Sequence, residues 1–136
     1  MTVLTIATVI SVLLLLAWFT IFITGLSIGD AVLAERSFDK ATFVWWLLFF
    51  GCVILLMINP AIGRYVCAVF LLLWIIIQSL NFFPSPKRAA SYNNLFKHTH
   101  HIIPPSDKIA IPDTAHLILL TLLLVSFVLV VIGIFA

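Results

Sequence analysis

Val3 to Ile28 reads VLTIATVISVLLLLAWFTIFITGLSI, an apolar run without a single charged side chain. A helix needs about 20 such residues to cross a hydrocarbon core roughly 30 Å thick. This run exceeds that length, so it is expected to span a bilayer with some tilt or to emerge as helix on one side. It lacks the charged start of a secretory signal and is about twice as long as a signal's apolar region, so it is read as a span.

Working outward, three further runs share its character. Residues 41–59 open with Trp45 and Trp46, rings that favour the membrane interface. Asn59 and Pro60 form a turn, and residues 62–83 follow, with Arg64 and Tyr65 at the start and Asn81 near the end. A link this short makes the second and third runs an antiparallel hairpin. Residues 114–135 form the last run, and Asp113, just after Pro112, is placed as its N-cap. The expected fold is an all-α integral membrane protein: four transmembrane helices in an up-down bundle, one domain over residues 1–136. A long interfacial loop, 84–113, joins helices three and four.

Composition agrees. The chain of 136 residues is 64% hydrophobic and 9% charged, against about 25% charged in a soluble domain. A net charge of +2 is too small to indicate a nucleic-acid partner. The cations instead read as topology signals. Four spans place loops 29–40 and 84–113 on one face, carrying Arg36, Lys40, Lys87, Arg88, Lys97 and Lys108, against Arg64 alone on the other. That bias makes both loops cytoplasmic and both termini external, with a bacterial plasma membrane as the expected setting.

The centres of the runs hold no Asp, Glu, Lys, Arg or His. This counts against a proton-coupled exporter of the small multidrug type, which needs a carboxylate in its first helix. Thr5, Thr8, Ser11, Thr20, Thr24, Thr121 and Ser126 are read as helix-to-helix contacts or hydroxyls bonded to their own backbone. Gln78, the bulkiest polar group at membrane depth, is expected to face another helix rather than lipid. Gly25 with Gly29, and Ala7 with Ser11, have small-xxx-small spacing for close packing. Cys52 and Cys67 are expected as neighbouring buried thiols across the hairpin, since no C-x-x-C redox spacing is present.

The loop is where chemistry would sit, because thirty or so residues far exceed what a helix hairpin requires. Its interleaved Tyr92, Leu95, Phe96, Ile102 and Ile103 predict order, with a short amphipathic helix over 89–98. Tyr92, Leu95 and Phe96 would face down and Lys97 out, and Pro104 and Pro105 would force an extended stretch. His98, His100 and His101, with Asp107, Asp113 and His116 downstream, carry the ligand types of a zinc or iron site. His98, His100, His101 and His116 are therefore candidate ligands for a divalent metal, against the plainer reading of solvated or headgroup-contacting histidines. Lys87, Arg88, Lys97 and Lys108 are candidates for docking headgroups or a partner.

Glycine-rich phosphate loops and nucleophile elbows are absent, so the sequence leans away from an enzyme. No histidine lies in the central part of a span, where a bundle-bound haem would take its axial ligands. The preferred expectation is a non-catalytic interaction partner of another membrane protein: an accessory subunit, assembly factor or immunity-type protein. Its partners would be the lipid bilayer and another membrane protein or copies of itself. The alternatives are a small oligomeric channel or transporter, lined by Thr5, Thr8, Thr20, Thr24 and Gln78, and a metal-dependent membrane enzyme using the loop His and Asp residues.

Overall fold

The computed structural model describes residues 2–36 and 39–136. In chain order these form α1 (Val3–Thr24), β1 (Leu26–Ile28), β2 (Ala31–Ala34), α2 (Lys40–Ile58), α3 (Pro60–Asn81), α4 (Pro86–Leu95) and α5 (Thr114–Phe135). The helices α1, α2, α3 and α5 are each long and apolar enough to cross a membrane.

Every helix starts on a short polar side chain. The side chains of Thr2, Asp39, Asn59, Ser85 and Asp113 accept the backbone N–H of Thr5, Thr42, Ile62, Arg88 and His116 respectively. Such caps satisfy one of the four N–H groups that a helix start leaves without partners. Pro60 and Pro86 follow their caps directly, where a missing N–H costs nothing.

The first run departs from expectation. It does not continue as helix to Ile28: α1 ends at Thr24, and Leu26–Ile28 pairs antiparallel with Ala31–Ala34. Gly25 turns the chain at φ +80°, and a Cβ there would stand 3.3 Å from Ala34 O and 3.2 Å from Arg36 N. Gly29, at φ +60°, takes the first position of the two-residue hairpin turn, where glycine is favoured. Gly25 and Gly29 are therefore backbone pivots and not a helix-packing pair. Of the second such pair, Ser11 is buried on α1, with its hydroxyl donating to Thr8 O at 2.9 Å.

The α2–α3 hairpin closes on Gly63. A Cβ at that position would meet the backbone of Leu56, with Leu56 N at 2.7 Å and Leu55 C at 2.9 Å. Higher in the same hairpin, Cys52 and Cys67 are free, buried neighbours, and the Cys67 thiol donates to Cys52 O at 3.3 Å.

α1 packs on α5 and α2, and α3 packs on α2 and α5, which closes a ring of four helices. Side-chain bonds show which ends meet. Arg64, in the first turn of α3, donates to Gly133 O near the end of α5 at 3.0 Å and to Thr5 Oγ1 near the start of α1 at 3.3 Å. The guanidinium thereby caps the negative end of the α5 dipole. At the opposite end, Trp18 Nε1 donates to Ala115 O and Trp46 Nε1 to Thr20 Oγ1, each at 3.0 Å.

Val12, Leu15, Phe49, Leu71, Leu123 and Val130 fill the core. Above them toward the loops lies an aromatic layer in which Trp74 packs on Phe19 at 4.8 Å and on Phe49 at 5.4 Å between ring centroids. Large apolar side chains such as Leu13, Leu14, Leu48, Leu72, Leu73 and Val128 point outward. Water would disfavour such a surface, whereas lipid would not.

The short loop helix also shifts from its expected place. Ser85 caps it and Pro86 starts it, so it spans Pro86–Leu95, three residues ahead of the predicted 89–98. Its inward side is Ala89 and Tyr92, while Leu95 is exposed.

Candidate functional site: a chamber under the long loop

The first turn of α5 organises this end of the molecule. Asp113 is its N-cap, and His116 stands three residues on, so both side chains rise from one turn. One carboxylate oxygen, Oδ1, accepts the His116 backbone N–H at 2.9 Å and lies 2.6 Å from His116 Nδ1. The other, Oδ2, lies 2.6 Å from the Thr99 hydroxyl. That hydroxyl is also 2.9 Å from Phe96 O, and its single proton goes to the nearer, charged acceptor. The Asp113 backbone N–H donates to the Tyr92 hydroxyl at 3.3 Å.

The loop is laced to the same point. Thr114 N–H donates to His100 O at 2.9 Å, and His100 Nδ1 meets Thr114 Oγ1 at 2.7 Å. His100 N–H donates to Val32 O at 2.7 Å, which ties the β-hairpin to the loop. Asp113 is consequently only 1% exposed. Burial opposes ionisation of its carboxyl, but the bonds from His116 and Thr99 outweigh it and hold the pKa below the ordinary carboxylate value. Burial, then the Asp113 charge, push the Tyr92 phenol well above its usual range, so it stays neutral.

A carboxylate facing Nδ1 selects the imidazole tautomer with the proton on that nitrogen, leaving a lone pair on Nε2. The ring is held in place by Phe22 at 4.9 Å, Phe96 at 4.8 Å and Tyr92 at 5.8 Å between centroids. His116 thus has a fixed orientation and one uncommitted nitrogen.

Next to it opens a chamber of about 360 Å³, walled by Phe19, Phe22, Trp45, Trp74 and Phe96 and reached by Glu35, Gln78, Thr99, Asp113 and His116. It lies where α1, α2, α3 and α5 meet beneath the loop and hairpin. Two polar atoms on its lining residues, Trp45 Nε1 and Gln78 Oε1, are buried without a hydrogen-bond partner. A buried unpaired donor or acceptor costs about 1 to 3 kcal/mol, and here one of each belongs to a residue of the chamber wall. Volume, aromatic walls and a few convergent polar groups are the usual features of a small-molecule site.

No protein-family model, curated protein or solved structure matches this chain. Its chemistry is therefore read from its own side chains.

The candidate metal ligands separate. His98 is exposed, His100 is bound to Thr114, His101 Nδ1 faces Thr99 O at 2.9 Å, and His116 faces Asp113. Among the described residues no group of three or more His, Cys, Asp or Glu side chains is placed to hold a metal ion. Gln78 is half-buried at the chamber wall. Lys87, Arg88, Lys97 and Lys108 are exposed, and the Arg88 guanidinium also donates to Leu80 O at the end of α3. The threonines suggested as a pore lining are occupied: Thr8, Thr20 and Thr24 donate to Leu4 O, Leu16 O and Thr20 O in their own helix.

Sequence reasoning did not single out Glu35, Trp45 or the aromatic wall as site residues. It did place Asp113 as a cap, and the D-x-x-H spacing at a helix start was the available signal for its pairing with His116.

Proposed function

We propose that this chain is a small integral membrane protein that receives the polar end of a neutral bilayer amphiphile in the chamber beneath its long loop. The observation that carries this reading is the pairing of an apolar aromatic cavity with buried, unpaired hydrogen-bonding atoms, Trp45 Nε1 and Gln78 Oε1. A guest with hydroxyl or carbonyl groups would satisfy them once the two side chains turn their polar ends into the space, and its chain would extend along apolar surface.

In this reading the four long helices form an up-down bundle across the membrane, with loops 29–40 and 84–113 at the cytoplasmic face of a bacterial plasma membrane. The one Lys or Arg at the far end, Arg64, is engaged as a helix cap, and the other Lys and Arg residues lie in the loops of the opposite end. This reading puts a membrane amphiphile where the sequence suggested another membrane protein as the partner, and the exposed lysines suit contact with anionic headgroups.

The test is titration of a 1-O-alkylglycerol, a neutral glycerol ether, into protein in nanodiscs, read by tryptophan fluorescence because Trp45 and Trp74 line the chamber. Saturable binding is expected. Gln78→Leu should weaken it by about 2- to 10-fold, the worth of one hydrogen bond, and Ala41→Phe, which fills the chamber from the first turn of α2, should abolish it. No saturation, or unaltered binding in Ala41→Phe, would overturn the proposal.

A further inference from the structure

We propose that the Asp113–His116 pair makes this chamber a hydrolytic site for neutral acyl esters of glycerol; the inference rests on the binding reading above. The dyad has the parts that general-base catalysis requires. A buried carboxylate fixes Nδ1–H at 2.6 Å, Nε2 is left with a lone pair, and aromatic rings on three sides hold the imidazole plane. A structural N-cap needs only the bond from the His116 backbone N–H. It needs neither the second bond to the His116 ring nor the Thr99 hydroxyl on the opposite oxygen.

Charge selects the substrate. Glu35 and Asp113 border the chamber, and no Lys or Arg does among the described residues. A phosphate would meet two carboxylates and no counter-charge, so phosphodiesters and phospholipid headgroups are disfavoured. An uncharged mono- or diacylglycerol suits both the apolar wall and the acidic lining. No Ser or Cys lines the space among the described residues, and the Thr99 and Thr42 hydroxyls are engaged by Asp113 and Asp39, so the nucleophile is water.

The step balances without a metal or a redox partner. His116 Nε2 takes a proton from water as the water oxygen bonds to the ester carbonyl carbon. The tetrahedral species then collapses: the bond from carbon to the glycerol oxygen breaks, and the departing oxygen takes the proton back from Nε2. The products are a fatty acid and glycerol, or a glyceride shorter by one acyl chain. Trp45, a residue of the chamber wall, carries an Nε1–H without a partner, and a turn of its ring into the space would make that N–H a donor to the carbonyl oxygen as it gains negative charge. His116 is the catalytic residue, and Asp113 is a positioning residue that sets its tautomer.

The experiment follows fatty-acid release from a 1-monoacylglycerol by the full chain in nanodiscs, alongside binding of the matching 1-O-alkylglycerol, which cannot be hydrolysed. Wild type should release fatty acid. His116→Gln should lose at least about 100-fold in rate while still binding the ether. Asp113→Asn, which keeps a good N-cap, should lower kcat with little change in KM, the pattern of a group that orients the base. Ether binding without ester turnover would overturn this inference and leave the binding reading intact. Turnover unaffected by His116→Gln would overturn it as well, and failure of the ether to bind would remove both.

Discussion

Replacing Asp113 with alanine isolates the knot that joins loop, helix start and histidine. The carboxylate is 1% exposed and serves three donors: the His116 backbone N–H, the His116 ring and the Thr99 hydroxyl. Loss of an N-cap costs about 0.5 to 2 kcal/mol, and removing one member of a buried, hydrogen-bonded pair costs about 3 to 5 kcal/mol. These overlap, since the same oxygens do both jobs, so about 3 to 5 kcal/mol is expected for Asp113→Ala. That corresponds to roughly a 150- to 5,000-fold shift in the unfolding equilibrium. Asp113→Asn keeps an acceptor for the cap and should recover about 1 kcal/mol of the loss. Reversible unfolding in mixed micelles of increasing SDS fraction, followed by far-UV circular dichroism, measures both. The pH dependence has a definite sign. The folded pKa of Asp113 lies below its ordinary 3.8, so its stabilisation is complete above that value and is lost as pH falls through the folded pKa. Wild type should therefore lose stability relative to Asp113→Asn only in that acid range. A cost below about 1 kcal/mol for Asp113→Ala, or an acid response equal in the two proteins, would refute the picture of a buried carboxylate organising this end of the bundle.

The other expectations concern the hairpin and the topology. Gly63→Ala would drive a methyl into the backbone of Leu55 and Leu56; overpacking of this kind costs about 1 to 3 kcal/mol, measurable in the same SDS titration, whereas Gly51→Ala, with open space around it, should be neutral or slightly stabilising. With Cys52 and Cys67 changed to Ala, a single cysteine at exposed Asp107 should react with a membrane-impermeant maleimide in inverted vesicles and not in intact cells. The reverse labelling would invert the proposed orientation.

What the sequence made legible follows from the range of the interactions involved. The spans were readable because length and apolarity are properties of a continuous segment, and α5 matches its expected 114–135 from cap to end. The end of α1 was not. Gly25 and Gly29 have the same spacing whether they pack a helix or bend a chain, and only the positive φ at both decides. The intervening Leu26–Ser27–Ile28 is as apolar as the helix before it, so hydropathy carries no signal of the switch to strand. The loop helix was displaced because Ser85 and Pro86, a cap and a first-turn proline, outweigh the apolar pattern that suggested a later start.

The histidines show the same divide in the chemistry. His98, His100 and His101 are neighbours in sequence, and a turn followed by extended chain sends them to solvent, to Thr114 and to Thr99 O. His116 lies far from them along the chain, but its distance from Asp113 is set by helix geometry alone, since residues three apart share one face of a turn. A cluster that depends on the path of an irregular loop is hard to read from spacing, whereas a pair on one helical turn is not. The chamber beside that pair draws its wall from α1, α2, α3 and the loop, a convergence that no local pattern encodes. The long spans also leave their centres free of ionisable groups and gather a carboxylate, an imidazole and two unpaired polar atoms at one end. In the proposed reading, that end of the bundle lies at the depth where an amphiphile's polar group and its chain part company.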